Sequence, residues 1–212
     1  MKTEVDCSTF LARHDIVWEI LPARFDHGIY HGNGLLGCMI FRDGPNIMRW
    51  EMGRSDVTEH RRDNNRLPIG GMLLETKGTI TGGSARLKLW NAESSGEIIT
   101  DRGTIGFRTL IHSENLFTLI EITCSEGEKD ASFRWEAKPA KDEVNASFGD
   151  PPNPEPETGS IGGIMTCTQK RYAGGEFSTA WKEMPADGVG KRRVFISIAD
   201  RYPGTGAADE AA

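Results

Sequence analysis

The residues of this chain that could do chemistry are a glycine cluster, two neighbouring histidines, a close pair of carboxylates, 4 cysteines and 5 tryptophans. Gly32, Gly34 and Gly37, within His31-Gly32-Asn33-Gly34-Leu35-Leu36-Gly37, have the G-x-G-x-x-G spacing of a dinucleotide cradle. Such a cradle needs a strand before the glycines and a helix opening at them, where free N–H groups meet the pyrophosphate. Here the order is reversed. Residues 22–28 make a poor strand, and the apolar run Cys38-Met39-Ile40-Phe41 ends in Arg42-Asp43-Gly44-Pro45, a hairpin turn signal. The stretch reads as a glycine-loosened loop that delivers the chain into a buried strand, and no cofactor is expected.

His27 and His31 have the spacing of two metal ligands on one helical face. Gly28 and Gly32 break any helix there and no third ligand is apparent, so no metal centre is expected. They read as loop histidines, one of them packing against a sandwich edge. Cys7, Cys38, Cys124 and Cys167 form no C-x-x-C, and Cys38 and Cys124 lie inside apolar runs, as buried reduced thiols do. Asp56 and Glu59 are the carboxylates nearest the glycine loop. Glycoside hydrolysis needs two carboxyls roughly 5–10 Å apart across a sugar-sized cleft. On a short helix over residues 54–59 both would project from one wall, with Asp56 as N-cap and Glu59 completing a capping box. No G-x-S-x-G elbow and no P-loop lysine occurs. Trp18, Trp50, Trp90 and Trp135 fall within strand patterns and read as core or half-core; Trp181, which ends the run over 174–181, fits either core or a sugar-stacking platform. The residues alone identify no catalytic group.

The elements that must position these residues are short strands. Period-two alternation predicts strands over 15–20, 36–42, 46–52, 72–75, 87–91, 105–111, 116–124 and 133–137, with one helical turn near residues 8–14. Residues 116–124 are apolar on both sides and belong at the centre of a sheet. Gly96, Gly103, Asn115 and Gly127 punctuate the strands, and residues 60–66 read as an exposed loop. Four prolines within 149–157 make a polyproline-like loop, after which strands over 161–169, 175–181 and 193–199 return to complete the same sheets. The expected fold is all-β: a large two-sheet antiparallel β-sandwich with few short helices.

A net charge of −6 argues against nucleic acid or an anionic membrane as partner. Met1 to Asp6 has no apolar signal core, and no run of about 18 apolar residues occurs. The sequence assigns no location: extracytoplasmic if a leader has been removed, otherwise cytoplasmic.

Trp18, followed by His31-Gly32-Asn33-Gly34-Leu35-Leu36-Gly37-Cys38-Met39-Ile40-Phe41, resembles the opening of glycoside hydrolase family 95 proteins. Ser55-Asp56 then stands where that family has Glu-Asp-Thr-Leu-Trp, with Val57-Thr58 departing from its Leu-Trp. Arg66-Leu67-Pro68-Ile69-Gly70-Gly71 and Gly174-Gly175-Glu176-Phe177-Ser178-Thr179-Ala180-Trp181 resemble motifs of related N-terminal domains, so the likeness runs over residues 18–199. It implies a supersandwich at residues 1–199, with 200–212 beginning a linker to a C-terminal (α/α)6 barrel of the same polypeptide. In that family the barrel hydrolyses α-L-fucosides or α-L-galactosides with inversion and carries the catalytic residues, so none is assigned here. His31, Asn33, Asp56 and Trp181 are the candidates for substrate proximity or for the wall facing the barrel. Structural alternatives are a left-handed turn at Asn33 and a cap at Asp56. Two further readings remain open: a stand-alone carbohydrate-binding module built on the tryptophans, and a purely structural domain.

Overall fold

Short runs that alternate apolar and polar residues cannot bury one side as helices; they pair as strands and stack sheet on sheet. The computed structural model describes residues 5–62 and 64–212, and among these fourteen strands form two antiparallel sheets. In chain order they are β1 (Ile16–Trp18), β2 (Ile29–Gly32), β3 (Leu36–Arg42), β4 (Ile47–Arg54), β5 (Gly70–Glu75), β6 (Ile80–Lys88) and β7 (Glu93–Thr100). There follow β8 (Thr104–Ile111), β9 (Phe117–Cys124), β10 (Ser132–Ala137), β11 (Glu157–Ile161), β12 (Ile164–Lys170), β13 (Glu176–Pro185) and β14 (Lys191–Arg201). Three short helices complete the fold: α1 (Cys7–Ala12), α2 (Glu143–Ser147) and α3 (Ala207–Ala211).

The large sheet has nine strands in the order β1-β6-β7-β8-β9-β14-β13-β12-β11, and the small one five, β10-β5-β4-β3-β2. β9, apolar on both faces, takes the middle place of the nine. The strands after the proline-rich loop do return to the same sheet, beside β9. The core lies between the sheets. Ile105, Phe107 and Ile111 of β8, Ile120 and Ile122 of β9, and Val194 and Ile196 of β14 face Leu36, Ile40, Met48, Trp50 and Met72 of the small sheet. Trp50 is fully buried, edge-on to Phe107 at 6.0 Å and to Phe133 at 6.4 Å, and its Nε1 donates to Thr109 Oγ1 at 2.8 Å.

Several local expectations are corrected. Residues 54–59 form no helix, and Asp56 caps none. Val57 is fully buried and Leu67 almost so; Leu67 N donates to Val57 O at 3.0 Å and Thr58 bridges to Arg66. Burying that apolar pair over the end of the sandwich demands extended backbone, which overrides the capping pattern. Gly96 lies inside β7, where a Cβ would collide with the Ser84 carbonyl and the Phe107 ring. The reversal falls instead at residues 89–92, where Ala92 takes φ 50° and Trp90 stands 57% exposed. Ile29 and His31 turn inward, making β2 a strand where a loop was expected.

α3 packs Ala207 and Ala211 on Ala180 and Ala199 of the large sheet. The N–H groups of Gly206 and Ala207 donate to Glu176 Oε1 at 2.7 and 3.0 Å.

Candidate functional site

Where β4 ends, Arg54 reaches the Ile198 carbonyl of β14, tying the small sheet to the large one. Its Nε and Nη2 bind the two oxygens of Asp56 at 2.7 and 3.0 Å. Three residues on, Glu59 is fully buried. Its carboxylate accepts from Arg61 Nη2 at 2.7 Å, Asn153 Nδ2 at 3.0 Å and the His60 N–H at 3.0 Å. Burial opposes the charge on Asp56 and on Glu59, but the neighbouring groups outweigh it. Arg54 holds Asp56, and Arg61 with Asn153 holds Glu59, below the usual carboxylate range. Both are therefore anions fixed by partners, and neither is free to act as a general acid.

The next three side chains each lie against a ring from a distant segment. His60 stacks on Tyr202 with centroids 3.7 Å apart, Arg61 lies 5.5 Å from the Tyr172 ring centre, and Arg62 lies 4.4 Å from that of Phe148. All three rings are substantially exposed: 46% for Tyr202, 60% for Tyr172 and 65% for Phe148. The proline-rich loop is drawn onto this turn. Arg62 binds both oxygens of Asp150 at 2.7 and 3.0 Å, and Arg61 Nη1 donates to the Pro151 carbonyl. Asn153 joins the pieces, donating to Ala140 O at 2.9 Å and accepting from Tyr172 N at 2.8 Å. A cavity of about 320 Å³ opens beside them, lined by Arg61, Ala140, Asn145, Asp150, Pro152 and Asn153 among others.

A second, more open hollow of about 510 Å³ lies on the outer face of the small sheet, among Tyr30, Met39, Glu51, Arg66 and Lys138. Its floor includes Gly37 and Gly53, which pair across β3 and β4, and Gly32 continues the row on β2. A Cβ at Gly53 would meet nothing within 4 Å, and its backbone is not left-handed. Gly53→Ala is accordingly expected to stabilise the fold by about 0.5–1 kcal/mol, because alanine loses less backbone entropy in a strand. Urea unfolding checks this; a lowered midpoint would refute it.

The four residues singled out from sequence do not converge. His31 lies in β2 facing inward, its Nε2 2.6 Å from Ser94 Oγ, while His27 is exposed on a separate turn. Asn33 is not left-handed; that role falls to Gly34, at φ 95°. The Asn33 side chain accepts from Leu35 N and Leu36 N at 3.0 and 2.8 Å and donates to His112 O at 3.0 Å, closing the β2–β3 turn. Asp56 is turned onto Arg54, and only the adjacent Ser55 N–H reaches the β2–β3 turn, at Leu35 O (2.9 Å). Trp181 stands elsewhere on the large sheet, stacked on Trp135 at 5.6 Å. The Arg61–Tyr172 and Arg62–Phe148 pairs were missed because nothing local links residues so far apart; the only sequence signal was the basic pair beside an aromatic-poor loop. Among the described residues no group of three or more His, Cys, Asp or Glu side chains could hold a metal ion. No described helix is long and apolar enough to cross a membrane.

Burial pushes the His31 imidazole down to about 4, against the weaker pull of the Ala92 backbone and Glu93. The unfolded chain therefore takes up a proton on this residue below its ordinary value of 6.5, while the folded chain stays neutral until about 4. Stability contributed at neutral pH is lost as pH falls through that window, by about 2–3 kcal/mol at its lower end. His31→Gln should remove this part of the pH dependence between pH 7 and 4.5, measured by urea unfolding. An unchanged slope would refute it.

Geometry and topology together define the chain as a large antiparallel β-sandwich. No family model and no curated protein sequence matches it. Among solved structures, its fold is similar to part of a protein described as a kojibiose phosphorylase from the human microbiome. The TM-score is 0.55 at 10% identity, over 93% of this chain and 31% of that one. The chain thus spans about a third of that protein's length.

Proposed function

We propose that this sandwich is the N-terminal, non-catalytic domain of a carbohydrate-active enzyme, followed in the same polypeptide by a helical barrel that performs the chemistry. The observation that carries this reading is the fold likeness over nearly the whole chain to one third of a protein described as a phosphorylase of a sugar. The order of the four motifs favours a family-95-like relative, and with it hydrolysis of α-L-fucosides or α-L-galactosides. Leu110, Leu119 and Phe195 support it from another side. They form a half-exposed apolar row across β8, β9 and β14 on the outer face of the large sheet, suited to a covering domain.

Fold by itself does not specify activity, so the test is direct. The gene is read past the codon for Ala212, and the whole product is assayed on aryl α-L-fucoside and α-L-galactoside and for phosphorolysis of kojibiose. Several hundred helix-rich residues and one of these activities are expected. A stop codon at that point would overturn the reading and leave a stand-alone carbohydrate-binding domain as the better one.

A further inference from the structure

We infer that the cavity between the His60-Arg61-Arg62 turn and the proline-rich loop is a binding site for one ring of a neutral sugar, held by the polar groups of Arg61, Asn145 and Asn153. At about 320 Å³ it sits at the small end of the range for small-molecule sites. Alanine and proline side chains supply apolar wall, and arginine, aspartate and asparagine supply polar groups. A sugar ring has the same division, an apolar C–H face and a rim of hydroxyls.

Two polar atoms of the lining residues lack partners. Asn145 is 1% exposed and its Oδ1 is unpaired, although its Nδ2 donates to Asp142 Oδ2 at 2.7 Å. Arg61 Nε is unpaired too, while both its terminal nitrogens are engaged. Buried polar atoms are rarely left so, because each costs free energy when it gives up water without replacement. Both atoms are covered from solvent; a hydroxyl both donates and accepts, so a ring hydroxyl can answer either orphan after a small local opening.

The charge pattern specifies a neutral ligand. Arg61 already has Glu59 and Arg62 already has Asp150, and at the rim Lys141 stands among Asp142 and Asp150. The exposed rings of Tyr172 and Phe148 lie against those same arginines and outside the lining; Tyr172 is tied to Asn153 through its N–H, and Phe148 ends α2 three residues beyond Asn145. Trp181, the residue the sequence offers for stacking, is already stacked on Trp135 and has no part in this cavity.

The choice of a sugar among polyhydroxylated ligands rests on the carbohydrate-active reading above. The test is amide NMR of the 212-residue chain titrated with L-fucose, D-galactose and kojibiose at millimolar concentration. At least one should shift the amides of Arg61, Asn145, Gly149 and Tyr172 saturably. Asn145→Ala, and Ala146→Trp filling the cavity, each retaining a dispersed folded spectrum, should weaken that binding about tenfold or more. Absence of saturable shifts with all three sugars, or unchanged affinity in both variants, would overturn the site. Saturable shifts confined to the hollow around Tyr30 and Glu51 would also overturn it, yet leave the carbohydrate-active reading standing. Failure of that reading shows separately, in the continuation of the gene.

Discussion

Truncating Trp50 to alanine is expected to cost about 3–5 kcal/mol of folding free energy, the range for removing a large buried aromatic. The indole is fully buried at the junction of the two sheets, edge-on to Phe107 of the large sheet and Phe133 of the small one. Alanine would leave a cavity that two hydrogen-bonded sheets cannot collapse to fill. It would also strand Thr109 Oγ1, a fully buried hydroxyl whose partner is the indole N–H. Trp50→Phe separates the terms: most of the packing survives, and the loss should fall to about 1–3 kcal/mol, the cost of an unsatisfied buried group. Urea unfolding of the two variants checks the order. Equal losses would mean that the hydrogen bond, not the volume, carries the effect.

Glu59→Ala should be comparably severe, about 3–5 kcal/mol, because it removes one member of a buried ion pair and leaves the other unpaired. Arg61, Asn153 and the His60 N–H all direct donors at this carboxylate. The variant should therefore loosen the turn, the proline-rich loop and the Tyr172 ring together. The pH dependence has a defined sign. Against the effect of burial, Arg61 and Asn153 hold Glu59 below its ordinary 4.5. Its contribution is present above that value and is lost as pH falls toward the lower folded value. The gap between wild type and Glu59→Ala should thus be widest at pH 7 and narrow below pH 4.5. A variant within about 1 kcal/mol of wild type at pH 7, the size of an exposed pair, would contradict a buried role.

Much of the sandwich was legible before any coordinates. The turn Asp43-Gly44-Pro45 joins β3 and β4 as its residues require, and the two-sided apolar pattern of residues 116–124 put β9 at the centre of nine strands. The glycine motif proved to be a β2–β3 hairpin, with no helix at its glycines. Errors arose where local rules met competing tertiary demands. Asp56 and Glu59 have the spacing of a capping box, but burying Val57 against Leu67 keeps the backbone extended and turns both carboxylates onto arginines. Gly96 resembled a turn because glycine usually marks one, yet it is there to let Phe107 approach the strand.

The sequence by itself determined most of the strands, because side-chain alternation and turn chemistry act over a few residues; β2, β6, β7 and β11 escaped it, set by pairing with strands elsewhere in the chain. Only the tertiary structure decided what lies beside the His60-Arg61-Arg62 turn. Phe148, Tyr172 and Tyr202 come from the end of α2, the β12–β13 turn and the segment after β14, and no local period relates them to residue 60 or to one another. Their meeting follows from sheet order, which puts the ends of β12, β13 and β14 next to the loop leaving β4. That order is settled by which strands bury their faces together, a property of the whole chain.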